Sequence, residues 1–240
     1  MSKVILVTGS NAGIGYELVQ LLAEKGHTVY LASRDVTKGK EAQSKLQQDG
    51  HKAKFVQLDV TSPASITAAK EFIEKEEGRL DVLVNNAGIA KFESPQNATT
   101  VDVAVVREVF EPNLFGLIQT TTTFIPLLRK SSQPVIVNVS TDMASNTVQA
   151  GPKSLLHVVA YNTSKAAANS YTIALAHELR GEGFKVNAVT PGFTSTKLNH
   201  FGEGGRAPRE GAGIILPWVL VDKDGQTGLF IGPDGSEFPW

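Results

Sequence analysis

Short apolar runs alternate with stretches of helical periodicity along most of the chain. The apolar runs predict strands at about residues 3–8, 28–32, 54–58, 81–85, 134–140 and 185–190, and residues 229–231 allow a seventh. Helical spacing, as of Ile14, Leu18 and Leu21, predicts helices at about 13–25, 36–48, 63–77, 100–129 and 160–181, with Pro112 interrupting the fourth.

Apolar strands that are separated by amphipathic helices favour parallel pairing with both faces of the sheet covered. Right-handed crossovers then give an α/β fold with a doubly wound parallel sheet, a Rossmann fold of about seven strands with helices on both faces. We expect one domain over residues 1–240, because such sheets often reach this length as a unit. The glycine-rich stretch at about 193–213 is either a substrate loop or a plain surface loop.

The amino-acid composition excludes several classes of function for this chain. The 240 residues carry a formal net charge of −1, which argues against broad attraction to nucleic acid or to an acidic membrane. The absence of cysteine excludes disulfides and thiolate chemistry. The five histidines show no metal-ligand spacing, so we expect no metal. No apolar run is long enough for a membrane span or a secretory signal, and the expected compartment is therefore cytoplasmic.

A glycine-rich turn follows the first predicted strand and opens the first helix. Its sequence is Thr-Gly-Ser-Asn-Ala-Gly-Ile-Gly at residues 8–15. Glycines let the backbone turn tightly and approach a pyrophosphate, and a helix N-terminus offers unpaired N–H groups. A purely structural turn is the alternative, but the position in the first βα unit favours a dinucleotide.

The second predicted strand ends in Ser33, Arg34 and Asp35. A site for NAD places a carboxylate there against the ribose 2′-hydroxyl, whereas an arginine suits the 2′-phosphate of NADP. The carboxylate position falls most simply on Ser33, and Arg34 can grip a phosphate through paired hydrogen bonds. NADP is favoured; the alternatives are a one-residue shift that brings Asp35 to the ribose and an exposed Arg–Asp pair in a loop.

Tyr161 and Lys165 are four residues apart in the long predicted helix, so they share one of its faces. An ammonium beside a phenol favours the phenolate, and we expect Lys165 to lower the pKa of Tyr161. Such a tyrosine can donate and accept protons in catalysis.

Taken together, these motifs resemble the short-chain dehydrogenase/reductase family over nearly the whole chain. Further segments match in order: Asp59-Val60, Asn-Asn-Ala-Gly at 85–88, Asn113, Asn-Val-Ser-Thr at 138–141, and Pro191-Gly192 with Thr196. Arg34-Asp35-Val36 and the residues 227–230 are more similar to the NADPH-dependent carbonyl reductase branch.

The resemblance implies a set of site residues. The catalytic candidates are Asn113, Ser140, Thr141, Tyr161 and Lys165. The candidates for binding NADP(H) are Gly9, Ser10, Asn11, Ala12, Gly13, Ile14, Gly15, Arg34, Asp59, Val60, Asn86, Ala87, Gly88, Tyr161, Lys165, Pro191, Gly192, Thr194 and Thr196.

Two departures from the family pattern bear on mechanism. Thr141 stands where the family usually has serine, and strand alternation lets only one of Ser140 and Thr141 face the nicotinamide. Pro112 precedes Asn113, which either opens a carbonyl to a water relay or merely kinks the helix.

The implied function is reversible reduction of a ketone or aldehyde to an alcohol, with hydride from NADPH and a proton from Tyr161. A non-catalytic NADP-binding sensor or scaffold, or an epimerase or dehydratase that uses the same Tyr–Lys pair, are the alternatives. Partners are then a small carbonyl or alcohol substrate and, through the two long helices, a second copy in a homodimer or homotetramer. Phe92, Met143, Phe193, Leu198 and Phe201 are candidates for lining an apolar pocket.

Overall fold

The computed structural model describes residues 2–152, 154 and 156–240. All strands in these ranges join one parallel sheet in the order β3-β2-β1-β4-β5-β6-β7. The predicted Rossmann-type fold is confirmed. The strands are β1 Val4–Val7, β2 Thr28–Ser33, β3 Ala53–Gln57, β4 Val82–Asn85, β5 Val135–Val139, β6 Lys185–Val189 and β7 Phe230–Ile231.

Helices connect the strands and lie against both faces of the sheet. No helix in the described ranges is long and apolar enough to cross a membrane. The helices are α1 Gly13–Glu24, α2 Val36–Gln48, α3 Pro63–Glu77, α4 Val103–Phe110, α5 Leu117–Leu128, α6 Asn146–Gln149, α7 Val159–Leu179 and α8 Pro208–Val219.

Two apolar cores result from the alternation of side chains along each strand. Leu6 and Ile136 pack in the core that α3, α5 and α7 cover. Val7, Val137 and their neighbours pack in the core that α1, α2 and α8 cover. Successive strand residues face opposite sides of the sheet, and helices cover both sides, so every residue of β1, β4 and β5 is buried. This explains why these strands are nearly continuous apolar runs in the sequence.

The fourth predicted helix is divided into three parts. A π-helical turn, Glu111–Gly116, separates α4 from α5. Pro112 has no N–H to donate to the carbonyl of residue 108, so the α-helical ladder is broken where the sequence predicted the interruption. Single π-helical turns often occur at functional sites, and Asn113 lies within this one.

The irregular loop is shorter than the predicted range of 193–213. Helix α8 begins at Pro208, and the Glu210 carboxylate accepts a hydrogen bond from Ala207 N at 2.8 Å. Proline at the first helical position and a glutamate two residues later are helix-start signals that the surrounding glycines obscured. Gly211 is needed for packing, because a Cβ there would lie 2.8 Å from Thr194 Oγ1.

The turn between β1 and α1 depends on Gly9. Its φ of +61° is in the left-handed region, and a Cβ on it would lie 2.8 Å from the Cα of Ala87. The turn therefore needs glycine both for its backbone conformation and for close contact with the residues that follow β4.

We predict that Gly9→Ala destabilises the fold more than Gly26→Ala does. Gly26 also has a positive φ, of +80°, but a Cβ there meets nothing within 4 Å, so it serves as the control for strain alone. Gly26→Ala should lower the free energy of unfolding by about 1 kcal/mol, and Gly9→Ala by a further ~1–3 kcal/mol for the steric overlap. Urea unfolding measures both; equal losses would mean that the turn moves away from Ala87 at little cost.

Candidate active site

A cleft of about 290 Å³ lies at the carboxyl ends of the central strands. It brings together most of the residues that the sequence assigned to cofactor binding. Predicted residues that line it are Gly9, Asn11, Ala12, Gly13, Ile14, Gly15, Arg34, Asp59, Val60, Asn86, Ala87, Gly88 and Thr196. Lys197 and Pro112 also line the cleft and were not predicted to do so.

Ser10, which also belongs to the predicted set, is not among the residues that line the cleft. Its hydroxyl donates to Val7 O at 2.7 Å and accepts from Ala32 N at 3.0 Å, and its own N–H donates to Ala32 O at 2.9 Å. The residue is fully buried. Ser10 therefore joins β1 to the end of β2, because this buried junction needs polar partners for its main-chain groups.

Asp35, at the end of β2, has partners within the protein. Its carboxylate accepts a hydrogen bond from Lys38 N at 3.1 Å and forms an ion pair with Lys38 Nζ at 3.2 Å, so it caps the N-terminus of α2. Ser33 is buried, and its hydroxyl bonds to the main chain of Asp35. Arg34 is the residue of this group that lines the cleft. The cleft consequently presents a guanidinium, not a carboxylate, at this point.

The residues after β4 are tied to the first glycine-rich turn. Asn86 Nδ2 donates to Thr8 O at 2.8 Å and to Gly9 O at 3.1 Å. In return, Thr8 Oγ1 accepts from the N–H groups of Asn86 and Ala87, both at 3.0 Å. These bonds hold the two loops that form opposite sides of the cleft at a fixed separation.

A second cavity, of about 680 Å³, adjoins the cleft. It shares Ile14, Asn86, Gly88, Thr196 and Leu198 with the cleft, so the two spaces meet there. The remaining predicted site residues apart from Ser10 and Asn113 line this cavity; they are Ser140, Thr141, Tyr161, Lys165, Pro191, Gly192 and Thr194. Four of the five apolar candidates, Phe92, Met143, Phe193 and Leu198, also line it.

The two candidate hydroxyls at the end of β5 have different surroundings. Ser140 Oγ donates to Asn169 Oδ1 on α7 at 2.7 Å. Thr141 begins the turn at 142–144, where its Oγ1 donates to Asp142 Oδ1 at 3.1 Å. Asn138 also bonds to α7, through Thr172 at 2.8 Å, which agrees with the expected alternation of faces. Ser140 is thus committed to holding α7, whereas Thr141 is held only by its own turn.

Tyr161 and Lys165 both lie on the buried face of α7. Lys165 Nζ donates to Val139 O at 2.9 Å, and burial lowers the pKa of Lys165 to about 8. Burial raises the pKa of Tyr161 above its usual value, and the carboxylate of Asp142 raises it further. The expected lowering of the Tyr161 pKa by Lys165 is therefore not observed. Loss of solvent around the phenol dominates its pKa, and the Lys165 ammonium instead donates to the main chain of β5.

Asn113 is fully buried, and both the oxygen and the nitrogen of its side-chain amide form hydrogen bonds. Its Oδ1 accepts from Ile89 N at 2.9 Å, and its Nδ2 donates to Ile89 O at 2.8 Å and to Ser164 Oγ at 3.0 Å. A Cβ on Gly88 would come 2.9 Å from Asn113 Oδ1 and 3.5 Å from Lys165 Nζ. The π-helical turn thereby joins the loop after β4 to α7 beside the lysine.

Gln96 is a site residue that the sequence analysis missed. Its Oε1 accepts from Tyr161 N at 3.2 Å, and its Nε2 donates to the carbonyls of Ala90 and Lys91 at 2.8 Å. Phe92, in the same loop, packs its ring edge-on against Tyr161, with centroids 5.5 Å apart. These contacts join residues some 65 positions apart, so no local spacing in the sequence points to them.

The comparisons with known proteins agree with this geometry. The family model described as short chain dehydrogenase matches residues 3–203, and the chain belongs to that family of oxidoreductases. Salutaridine reductase from Papaver somniferum is 33% identical, over 95% of this chain and 93% of that enzyme.

Two solved structures have nearly the same fold. NADPH-bound carbonyl reductase from chicken fatty liver gives a TM-score of 0.87 at 26% identity, with 100% of this chain and 99% of that one covered. The 3-ketoacyl-(acyl-carrier-protein) reductase from Brucella melitensis, complexed with NADH, gives 0.83 at 26% identity, with 96% of each chain covered. The resemblance found in the sequence is confirmed, but these two relatives bind different nicotinamide cofactors.

We predict that Lys165→Met stabilises the protein at pH 7. A pKa of about 8 in place of 10.5 means that burial disfavours the ammonium by roughly 3 kcal/mol. The hydrogen bond lost from this charged donor is worth ~1.5–3 kcal/mol, and the buried apolar side chain of methionine offsets part of that loss. Above pH 8 the folded protein releases this proton before the unfolded chain does, so the wild type gains stability as pH rises towards 10.5. The methionine variant lacks this gain.

Urea unfolding of both proteins from pH 7 to pH 10 measures the difference. The advantage of Lys165→Met should be largest at pH 7 and should shrink above pH 8. A variant that is less stable than the wild type at every pH would contradict the account of a desolvated ammonium.

Proposed function

We propose that the protein is an NADPH-dependent oxidoreductase that reduces a ketone or aldehyde to an alcohol, reversibly, with Tyr161 as the proton donor. The observation that carries the proposal is the junction of the two spaces. The cleft that holds the cofactor candidates opens, at Gly88 and Ile14, into the cavity that Thr141, Tyr161 and Lys165 line. This arrangement suits a cofactor in the cleft and a carbonyl compound in the cavity.

The residues of the cleft fit a dinucleotide. Helix α1 begins in the cleft at Gly13, and no side chain caps its first N–H groups, which leaves them available to a pyrophosphate. At the other end, Gly88 leaves the space beside Asn113 and Lys165 that a side chain would fill. Asp59 and Val60 follow β3 and also line the cleft, where they suit contact with an adenine.

Arg34 supports NADPH over NADH. It is exposed and lines the cleft at the strand end where a ribose-binding carboxylate is typical of NAD sites. Asp35 is occupied in capping α2, so the alternative in which it binds a 2′-hydroxyl loses support. A guanidinium at this position matches the charge and the geometry of a 2′-phosphate.

The cofactor, when bound, supplies the hydride that adds to the carbonyl carbon. Thr141 Oγ1 turns its single proton from Asp142 to the carbonyl oxygen and donates a hydrogen bond there. Tyr161 transfers its phenolic proton to that oxygen as charge develops on it. The bond order of the carbonyl falls to one, and the product is the alcohol. Lys165 holds the nicotinamide ribose and, with a water anchored near Asn113, returns a proton to the tyrosinate.

The raised pKa of Tyr161 suits this direction of reaction. Burial and Asp142 keep the phenol protonated in the resting site, so it is ready to act as an acid. An alkoxide is a much stronger base than a phenolate, so the transfer stays favourable.

The alternatives predict different fates for NADPH. The proposed reductase consumes NADPH and forms an equal amount of alcohol when it is given a panel of ketones and aldehydes. An epimerase shows no net change in NADPH, and a sensor or scaffold binds it without turnover. The homo-oligomer and the cytoplasmic location stay predictions; exposed Phe115 and Ile173, next to α5 and on α7, suit pairing through the long helices.

We predict that Arg34→Ala weakens NADPH binding about 10–100-fold and changes NADH affinity less than threefold. One charge-assisted contact to the 2′-phosphate is worth ~1.5–3 kcal/mol, and NADH lacks that phosphate. Lys38→Ala is the matched control, because it removes a nearby cation that bonds to Asp35 and does not line the cleft. Fluorescence titration of the wild type and both variants gives the six dissociation constants for NADPH and NADH. Equal losses of affinity for both cofactors in Arg34→Ala would refute the assignment of Arg34.

We predict that Thr141→Ala lowers kcat/KM about 10²-fold or more, as expected for loss of a preorganised donor. Thr141→Ser keeps the hydroxyl and should remain active, whereas Ser140→Ala should cost much less. Initial rates with NADPH and one accepted ketone decide among the three variants. If Ser140→Ala is instead the crippled variant, and its melting temperature is unchanged, the serine polarises the substrate.

A further inference from the structure

The chain reverses direction after β7 and returns along it to the candidate site. Gly232 N donates to Ser236 O at 2.8 Å, and Phe238 N donates to Phe230 O at 2.7 Å. Ile231 and Glu237 form an antiparallel bridge. We name residues 232–240 the return segment.

The return segment is fixed by a cluster of aromatic rings. Phe230 is fully buried at the end of the sheet. The ring of Phe238 meets it edge-on with centroids 5.3 Å apart, and the ring of Trp240 stacks on it at 5.4 Å. Such ring pairs contribute stabilisation beyond that of the apolar area they bury, so they hold the segment in a defined position relative to β7.

The return segment also joins two walls of the substrate cavity. At one end, Arg206 Nη1 in the loop after β6 donates to Pro233 O at 3.3 Å. At the other, Trp240 O accepts from Thr147 N at 3.1 Å and from Ser145 Oγ at 3.3 Å. Ser145 in turn caps the short helix α6, which carries Val148 and Gln149 into the cavity lining.

Between these two attachments, Phe238 itself lines the cavity. The cavity of about 680 Å³ also includes Pro191, Gly192 and Thr194, which are assigned to the cofactor, so the substrate has part of this volume. Its size is within the range of sites for drug-sized ligands. Its apolar side chains include Phe92, Met143, Val148, Leu156, Phe193 and Phe238. This lining suits a ring-containing apolar body attached to the carbonyl group.

Resting on the function proposed above, we propose that the return segment is the specificity-determining wall of this cavity. Phe238 packs against the apolar body of a bulky, ring-containing ketone. Trp240 is a positioning residue: through its ring on Phe230 and its carbonyl at Thr147 it holds α6 and the wall that α6 carries.

Two ketones with the same reacting ring test the proposal: cyclohexanone and 4-phenylcyclohexanone. The wild type should have at least tenfold higher kcat/KM for 4-phenylcyclohexanone. Phe238→Ala should reduce this preference about tenfold, because its kcat/KM should fall more for 4-phenylcyclohexanone than for cyclohexanone. Glu237→Ala is the matched control in the same segment, since its side chain is exposed and its bridge uses the main chain; it should leave the preference unchanged.

Trp240→Ala should raise KM for 4-phenylcyclohexanone about tenfold, change kcat less than twofold and leave the Kd of NADPH unchanged. Trp240→Phe keeps a ring on Phe230 and should restore most of the affinity. A structural defect alone would lower kcat, NADPH affinity and melting temperature together. If that occurs, Phe238→Leu decides the proposal, because leucine keeps an apolar side chain without the ring. The measured quantity is the ratio of kcat/KM for 4-phenylcyclohexanone to kcat/KM for cyclohexanone.

Failure of the inference and failure of the proposed function give different results. No NADPH consumption with either ketone would overturn both. Turnover of both ketones without preference for the phenyl compound would overturn the inference alone. The same holds if the preference survives Phe238→Ala or Phe238→Leu unchanged.

Discussion

The hydrogen bond from Lys165 Nζ to the carbonyl oxygen of Val139 sets the geometry of the candidate site. It joins α7 to the last residue of β5 at 2.9 Å, between two buried residues. Because Tyr161 is one helical turn before Lys165, and Thr141 is two residues after Val139, this one bond fixes the tyrosine relative to the hydroxyl. The buried ammonium costs stability, and the site keeps it nonetheless.

A ladder of buried amides and hydroxyls continues from this bond beneath the cleft. Asn85 Nδ2 donates to Asn138 Oδ1 at 2.8 Å, and Asn138 Nδ2 donates to Thr172 Oγ1 at 2.8 Å, so β4, β5 and α7 are joined in sequence. Asn113 extends the network to the π-helical turn through Ser164. Buried polar networks of this kind favour one arrangement of a core, since a displacement breaks several hydrogen bonds at once. In this ladder Asn85 Oδ1 is already buried without a partner.

The sequence predicted the sheet, its doubly wound helices and most of the site because these depend on local periodicity and on short motifs. Six strands and the Tyr161–Lys165 pair follow from residues close together in the chain. What it missed depends on tertiary contacts. Ser10 faces inward because β1 and β2 need partners at their junction, and Gln96 reaches Tyr161 across the fold. Helix α8 was missed because its two glycines weaken the helical signal, although one of them, Gly211, is needed for packing against Thr194.

Tyr161→Phe tests most directly whether Tyr161 is the proton donor of a carbonyl reduction at this site. The ring remains to pack against Phe92, and only the hydroxyl is lost. Steady-state kcat with an accepted ketone should fall ~10²–10⁴-fold, as is typical for loss of a general acid, while the Kd of NADPH stays the same. A variant that binds NADPH normally and keeps more than about a tenth of the wild-type kcat would contradict the account.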